Sequence, residues 1–150
     1  MPEWKTAFQE IPIGKGRKIK DGEEVAVLSF GHPGNFVSAA IREVKAEGLN
    51  PAHYDMRFAK PLDEALLHEV FARFKKIITV EDGTVVGGFG SAILEFMHAH
   101  NYQAEVAIMG IPDRLVEHGT PKQLYDEIGL DAPHIAAKIR ELAAVSVLVK

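Results

Sequence analysis

The sequence predicts an α/β fold: a five-stranded, mostly parallel sheet with one antiparallel edge strand and helices on both faces. Three observations carry this. Short apolar runs such as Val25–Leu28, Ile77–Val80 and Glu105–Met109 read as strands buried in a sheet. Segments with apolar residues at helical spacing alternate with them. At the centre, Ile77–His98 reads as strand, acidic and glycine-rich loop, then helix, the crossover half of a βαβ unit.

In chain order, residues 1–15 mix Trp4, Phe8, Ile11 and Ile13 with charges and show no period, so they read as an arm or linker, with 16–150 as the α/β domain. Arg17–Lys20 is a polar strand suited to an edge, because lysines discourage further pairing. Asp21-Gly22 is a two-residue turn signal, and with Val25–Leu28 it predicts a hairpin over Gly16–Phe30. Gly31–Asn35 is a loop, with Asn35 as helix cap and Phe36, Val37, Ala40, Ile41 and Val44 as the apolar face. Gly48 stops that helix. Ala52–Phe58 is the next strand, which would turn Asp55 and Arg57 to one side. Asp63 caps a helix carrying Leu66, Leu67, Val70, Phe71 and Phe74. After Ile77–Val80, Ser91 opens a helix with Ala92, Ile93, Phe96 and Met97 on one face. Glu105–Met109 is the last strand. Thr120-Pro121 is a cap followed by a first-turn proline. Lys122–Ile128 is a short helix ended by Gly129, and Asp131 opens the final helix with Ile135, Ile139 and Leu142 as its stripe. Residues 145–150 read as a packed apolar tail.

Composition bounds the function. With 47% hydrophobic and 25% charged residues over 150 positions, the chain suits one soluble domain. The net charge of −4 and the lack of a basic block argue against nucleic acid. The absence of cysteine removes disulfides, thiolate catalysis and thiolate metal sites, and fits a cytoplasmic setting. No apolar run reaches membrane-spanning length and no signal-peptide plan opens the chain.

The candidate interface or ligand loop is Glu81, Asp82, Gly87, Gly88, Gly90 and Ser91. Glycines there suit close packing of helix on strand, a subunit contact, or a phosphate at a helix N-terminus. The dinucleotide fingerprint is incomplete, because Ile93 stands where its third glycine belongs, and no phosphate-loop lysine follows. Secondary candidates lie in other loops: His32; Arg57, as ion-pair partner of Asp55 or as a substrate clamp; and Arg114 with His118. No catalytic, cofactor-binding or metal-binding residue is assigned.

Several stretches together resemble one family. Tyr54-Asp55-Met56-Arg57-Phe58-Ala59-Lys60-Pro61-Leu62-Asp63, Thr79-Val80-Glu81-Asp82-Gly83 with Gly87-Gly88-Phe89-Gly90-Ser91-Ala92, and Gly110-Ile111-Pro112-Asp113 with Glu117-His118-Gly119 are similar, in order and spacing, to the last domain of 1-deoxy-D-xylulose-5-phosphate synthases. More widely, the chain resembles the C-terminal domains of transketolases and of 2-oxo acid dehydrogenase β subunits. Gly31-His32-Pro33-Gly34 departs from the usual loop. The resemblance implies a C-terminal structural and dimerisation domain of a transferase in isoprenoid precursor synthesis, one that joins pyruvate to glyceraldehyde 3-phosphate with loss of carbon dioxide. It implies thiamine diphosphate and magnesium for the full-length enzyme, held by preceding domains, and none in this segment. It also implies a homodimer. The alternatives are a free-standing module binding a small phosphorylated ligand, or a domain of a dehydrogenase β subunit.

Overall fold

The computed structural model describes residues 9–144; the arm before Gln9 and the predicted tail 145–150 lie outside the described residues. Five strands, β1 (Arg17–Lys20), β2 (Ala26–Phe30), β3 (Ala52–Asp55), β4 (Lys76–Thr84) and β5 (Glu105–Ile111), form one sheet of order β1-β3-β2-β4-β5. All pairings are parallel except β1 on β3. Three helices connect successive strands, α1 (Gly34–Lys45), α2 (Glu64–Arg73) and α3 (Phe89–Ala99), and two follow β5, α4 (Pro121–Glu127) and α5 (Ala132–Ala144). The predicted sheet and its antiparallel edge are therefore present.

Each sheet face carries its own core. Alternation along β2 and β4 sends Val25, Val27, Ile78 and Val80 towards α1 and α5, and Ala26, Leu28 and Ile77 towards α2 and α3. This is why these strands read as continuous apolar runs. Caps set the helix starts. Asp63 accepts the Leu66 N–H, Thr120 and Gln123 form a reciprocal capping box before Pro121, and Asp131 accepts the His134 N–H. Among the described residues no helix is long and apolar enough to cross a membrane.

Four local expectations are corrected. The hairpin does not form, because both sides of β2 are taken by parallel neighbours, β3 and β4. The chain at Asp21-Gly22 instead crosses beneath β3: Glu23 N–H donates to the Asn50 carbonyl at 2.8 Å, and Lys20 Nζ donates to Asn50 Oδ1 at 2.6 Å. Helix α1 begins at Gly34 after Pro33, and Asn35 does not cap it. Helix α3 begins at Phe89, two residues before Ser91. Strand β3 ends at Asp55, so strand alternation does not reach Arg57, which sits at φ +55°.

Candidate functional site

Ligands of open α/β sheets bind outside the carboxyl ends of the strands, and the candidate residues fall there in three groups. The first is the β4–α3 connection. Glu81 is the last inward residue of β4 and only 2% exposed. Its carboxylate lies across the first turn of α3, where Oε2 accepts the Phe89 N–H at 2.8 Å and Oε1 accepts the Gly90 N–H at 2.9 Å. The helix N-terminus that would attract an anion thus already holds one from the chain itself.

The glycines follow from that contact. A Cβ at Gly88 would run into the Thr84 carbonyl oxygen and come 2.5 Å from Glu81 Oε2. A Cβ at Gly90 would lie 2.6 Å from Ile108 Cγ2 and 2.7 Å from Thr79 Oγ1. Gly88 has φ −85°, so close approach rather than dihedral freedom demands glycine there, whereas Gly87 has φ +73° with open space around it. Ser91 Oγ accepts the Gly87 N–H and donates to the Val85 carbonyl, closing the loop.

This geometry also tests the cofactor implied for the full-length enzyme. A diphosphate needs a free cradle of N–H groups, and here a buried carboxylate fills it. The residues of this loop do not fit thiamine diphosphate. Asp126, Asp131 and His134 bring three ligand-type atoms within 4.8 Å of one another, but Asp131 is engaged as the cap of α5.

The second group surrounds Asp55. Arg17, its register partner on β1, donates from Nε to Asp55 Oδ2 at 3.0 Å. The other oxygen accepts the Arg57 N–H at 3.2 Å, which holds that left-handed residue in place, while the Arg57 Nε is 3.9 Å from Asp55 Oδ2. A hollow of about 500 Å³ opens between Arg17, Gly31, Asp55, Arg57 and Phe58. Beside it, a polar notch of about 160 Å³ is lined by Ser29, Ser38, His53 and Asp55. His53 is buried, with Nε2 2.9 Å from Ser29 Oγ. Burial pushes its pKa down to about 4.

The third group is built on α4. Tyr125 stacks with His32 and meets Phe36 edge-on, at centroid distances of 6.3 and 5.0 Å. Its hydroxyl donates to Asp82 Oδ2 at 2.7 Å, and that carboxylate holds the phenol above its ordinary pKa. A cleft of about 460 Å³ between Asp82, Ile111, His118, Leu124 and Tyr125 places His118 at its rim, and Arg114 is paired with Glu127 at 3.1 Å. The candidate residues therefore line the same end of the sheet without converging on one centre. Arg17, His53 and Tyr125 were not anticipated: Arg17 sits in a polar edge strand, His53 in a buried one, and Tyr125 in a helix with no buried residue. A register for β1 would have found Arg17; nothing local points to the other two.

A five-stranded sheet with one antiparallel edge, helices on both faces and a glycine loop whose N–H groups are held by the chain's own Glu81 carboxylate defines an α/β domain of the transketolase C-terminal-like class. Within that class the chain belongs to the transketolase C-terminal domain family, whose description matches residues 14–135. It is 59% identical over 145 residues to a 1-deoxy-D-xylulose-5-phosphate synthase of Cytophaga hutchinsonii, and 51% identical over 138 residues to that of Bacteroides thetaiotaomicron. These alignments cover 97% and 91% of this chain but 23% and 21% of the relatives, so the chain spans less than a quarter of their length. A solved split-gene transketolase, described as an inactive β4 tetramer, superimposes with TM-score 0.83 at 28% identity, covering 91% of this chain and 44% of that one.

Proposed function

We propose that this chain serves as the C-terminal domain of a thiamine-diphosphate-dependent 1-deoxy-D-xylulose-5-phosphate synthase, supplying assembly and one edge of the substrate channel but no catalytic group. The carrying observation is Glu81. With its carboxylate on Phe89 and Gly90, the site where an α/β domain of this kind would take a phosphate is closed from within. Thiamine diphosphate and magnesium belong to the preceding domains, which would activate the cofactor and bind pyruvate there.

The residues that face those domains are at the Asp55 hollow. Lys15 and the Gly16 N–H both bind the Asp63 carboxylate, so the chain enters the domain beside this hollow. The Arg57 side chain there is about a quarter exposed, and its Nε stands 3.9 Å from Asp55 Oδ2, in ion-pair range of a carboxylate already held by Arg17. It is the group best placed to meet the anionic end of a phosphorylated substrate held by a neighbouring domain. Assembly as a homodimer fits the family, and the description of the structural neighbour as an inactive tetramer supports assembly without chemistry.

Calorimetric titration of the isolated chain with thiamine diphosphate and magnesium tests this reading. No saturable heat is expected. Micromolar binding would instead support a free-standing ligand-binding module.

A further inference from the structure

Away from the carboxyl end of the sheet, His68 on α2 meets His100 at the C-cap of α3, with ring centroids 4.8 Å apart and planes at 86°. We propose that these two imidazoles form a binding site for a divalent first-row transition ion, with water completing the coordination shell.

The hydrogen bonds prepare both rings. His100 Nδ1 lies 2.9 Å from the Phe96 carbonyl oxygen. A carbonyl only accepts, so in the neutral ring Nδ1 carries the proton and Nε2 is the nitrogen with a bare lone pair. His68 Nδ1 lies 2.7 Å from the Tyr102 hydroxyl, which can accept its N–H and leave Nε2 bare in the same way. Metal-binding histidines typically donate their second N–H to a carbonyl or similar acceptor, which fixes tautomer and ring orientation. An ion held by two imidazoles at about 2.0–2.1 Å per bond keeps the ring centroids about 5 Å apart, which matches the 4.8 Å observed.

Neighbouring rings hold the pair in place. Phe96 lies 4.1 Å from His100 and 5.1 Å from His68, centroid to centroid, and Tyr102 stacks on Phe71 at 5.0 Å. His100 is exposed and His68 half-buried, so an ion has access from solvent. Two neutral nitrogen donors without a carboxylate favour zinc, nickel or copper over magnesium or calcium.

The test is calorimetric titration of the full chain with zinc chloride, followed by electron paramagnetic resonance of the copper(II) form. One ion per chain at micromolar affinity and two coordinated nitrogens are expected. His100→Ala and His68→Phe, the latter keeping an aromatic ring in the cluster, should each weaken binding at least about tenfold. Tyr102→Phe preserves the stacking but loses the hydroxyl, and should weaken binding about tenfold. His98→Ala and His134→Ala should leave affinity unchanged. The proposal is overturned if the wild type shows no saturable binding, if Tyr102→Phe or His68→Phe binds as the wild type does, or if His134→Ala abolishes binding and so moves the ion to the Asp126, Asp131 and His134 group.

Discussion

Glu81 Oε1 accepts the backbone N–H of Gly90 at 2.9 Å, from a carboxylate buried beneath the helix it caps. The contact joins the end of β4 to the start of α3 and places a negative charge on the positive end of the helix dipole. Glu81→Gln removes that charge and turns an amide N–H towards a backbone N–H. We expect a loss of roughly 2 kcal/mol, read as a lower urea midpoint with unchanged slope. An unaltered midpoint would mean that the capping contact contributes nothing to stability.

Gly87 and Gly88 should respond differently to alanine. At Gly87 the added Cβ meets open space, and the cost is the left-handed backbone, about 1–2 kcal/mol. At Gly88 it meets the Thr84 carbonyl and the Glu81 carboxylate, so α3 must shift and its cap is lost as well. Gly88→Ala should therefore melt well below Gly87→Ala. The reverse order in thermal denaturation would contradict this account of the loop.

His53 makes stability depend on pH. Burial holds its folded pKa near 4, against 6.5 for the free side chain. The neutral ring is the form the fold accepts, so its contribution is complete above about pH 6.5. As pH falls the unfolded chain takes up the proton first, and stability declines until about pH 4. The span is worth about 3 kcal/mol. Denaturant titrations at several pH values should show this slope, and His53→Leu should flatten it. An equal slope in the variant would place the titration on another group.

Arg57→Gly should separate stability from function. Glycine accepts φ +55° without strain, so the variant should be as stable as the wild type or more stable by about 1 kcal/mol. In the assembled synthase the same change should raise the KM for the phosphorylated substrate and leave that for pyruvate unchanged. A rise in both, with normal stability, would argue against a dedicated anion contact.

Much of the fold was legible in the sequence, because the double burial of β2 and β4 and the spacing in α1, α2, α3 and α5 both follow from short-range periodicity. The partner of β1 was not. Asp21-Gly22 has hairpin chemistry, but the parallel neighbours on both sides of β2 override it, and that is a long-range fact. The site was legible only in part. The acidic residue and the glycines of the β4–α3 loop stand out in the sequence, yet nothing local shows that the Glu81 side chain turns inward onto Phe89 and Gly90. The motif spelled a loop, and the identity of its anion required the structure.

If this chain is a C-terminal domain that works only with the rest of a synthase, it should replace the matching segment of a relative. The Cytophaga hutchinsonii synthase would be made with its own C-terminal segment replaced by this chain, and its thiamine-diphosphate-dependent formation of 1-deoxy-D-xylulose 5-phosphate measured beside the enzyme lacking that segment. Activity near that of the intact synthase is expected for the exchange, and none for the truncated enzyme or for this chain alone. A folded exchange protein without activity, or turnover by the isolated chain, would contradict this role.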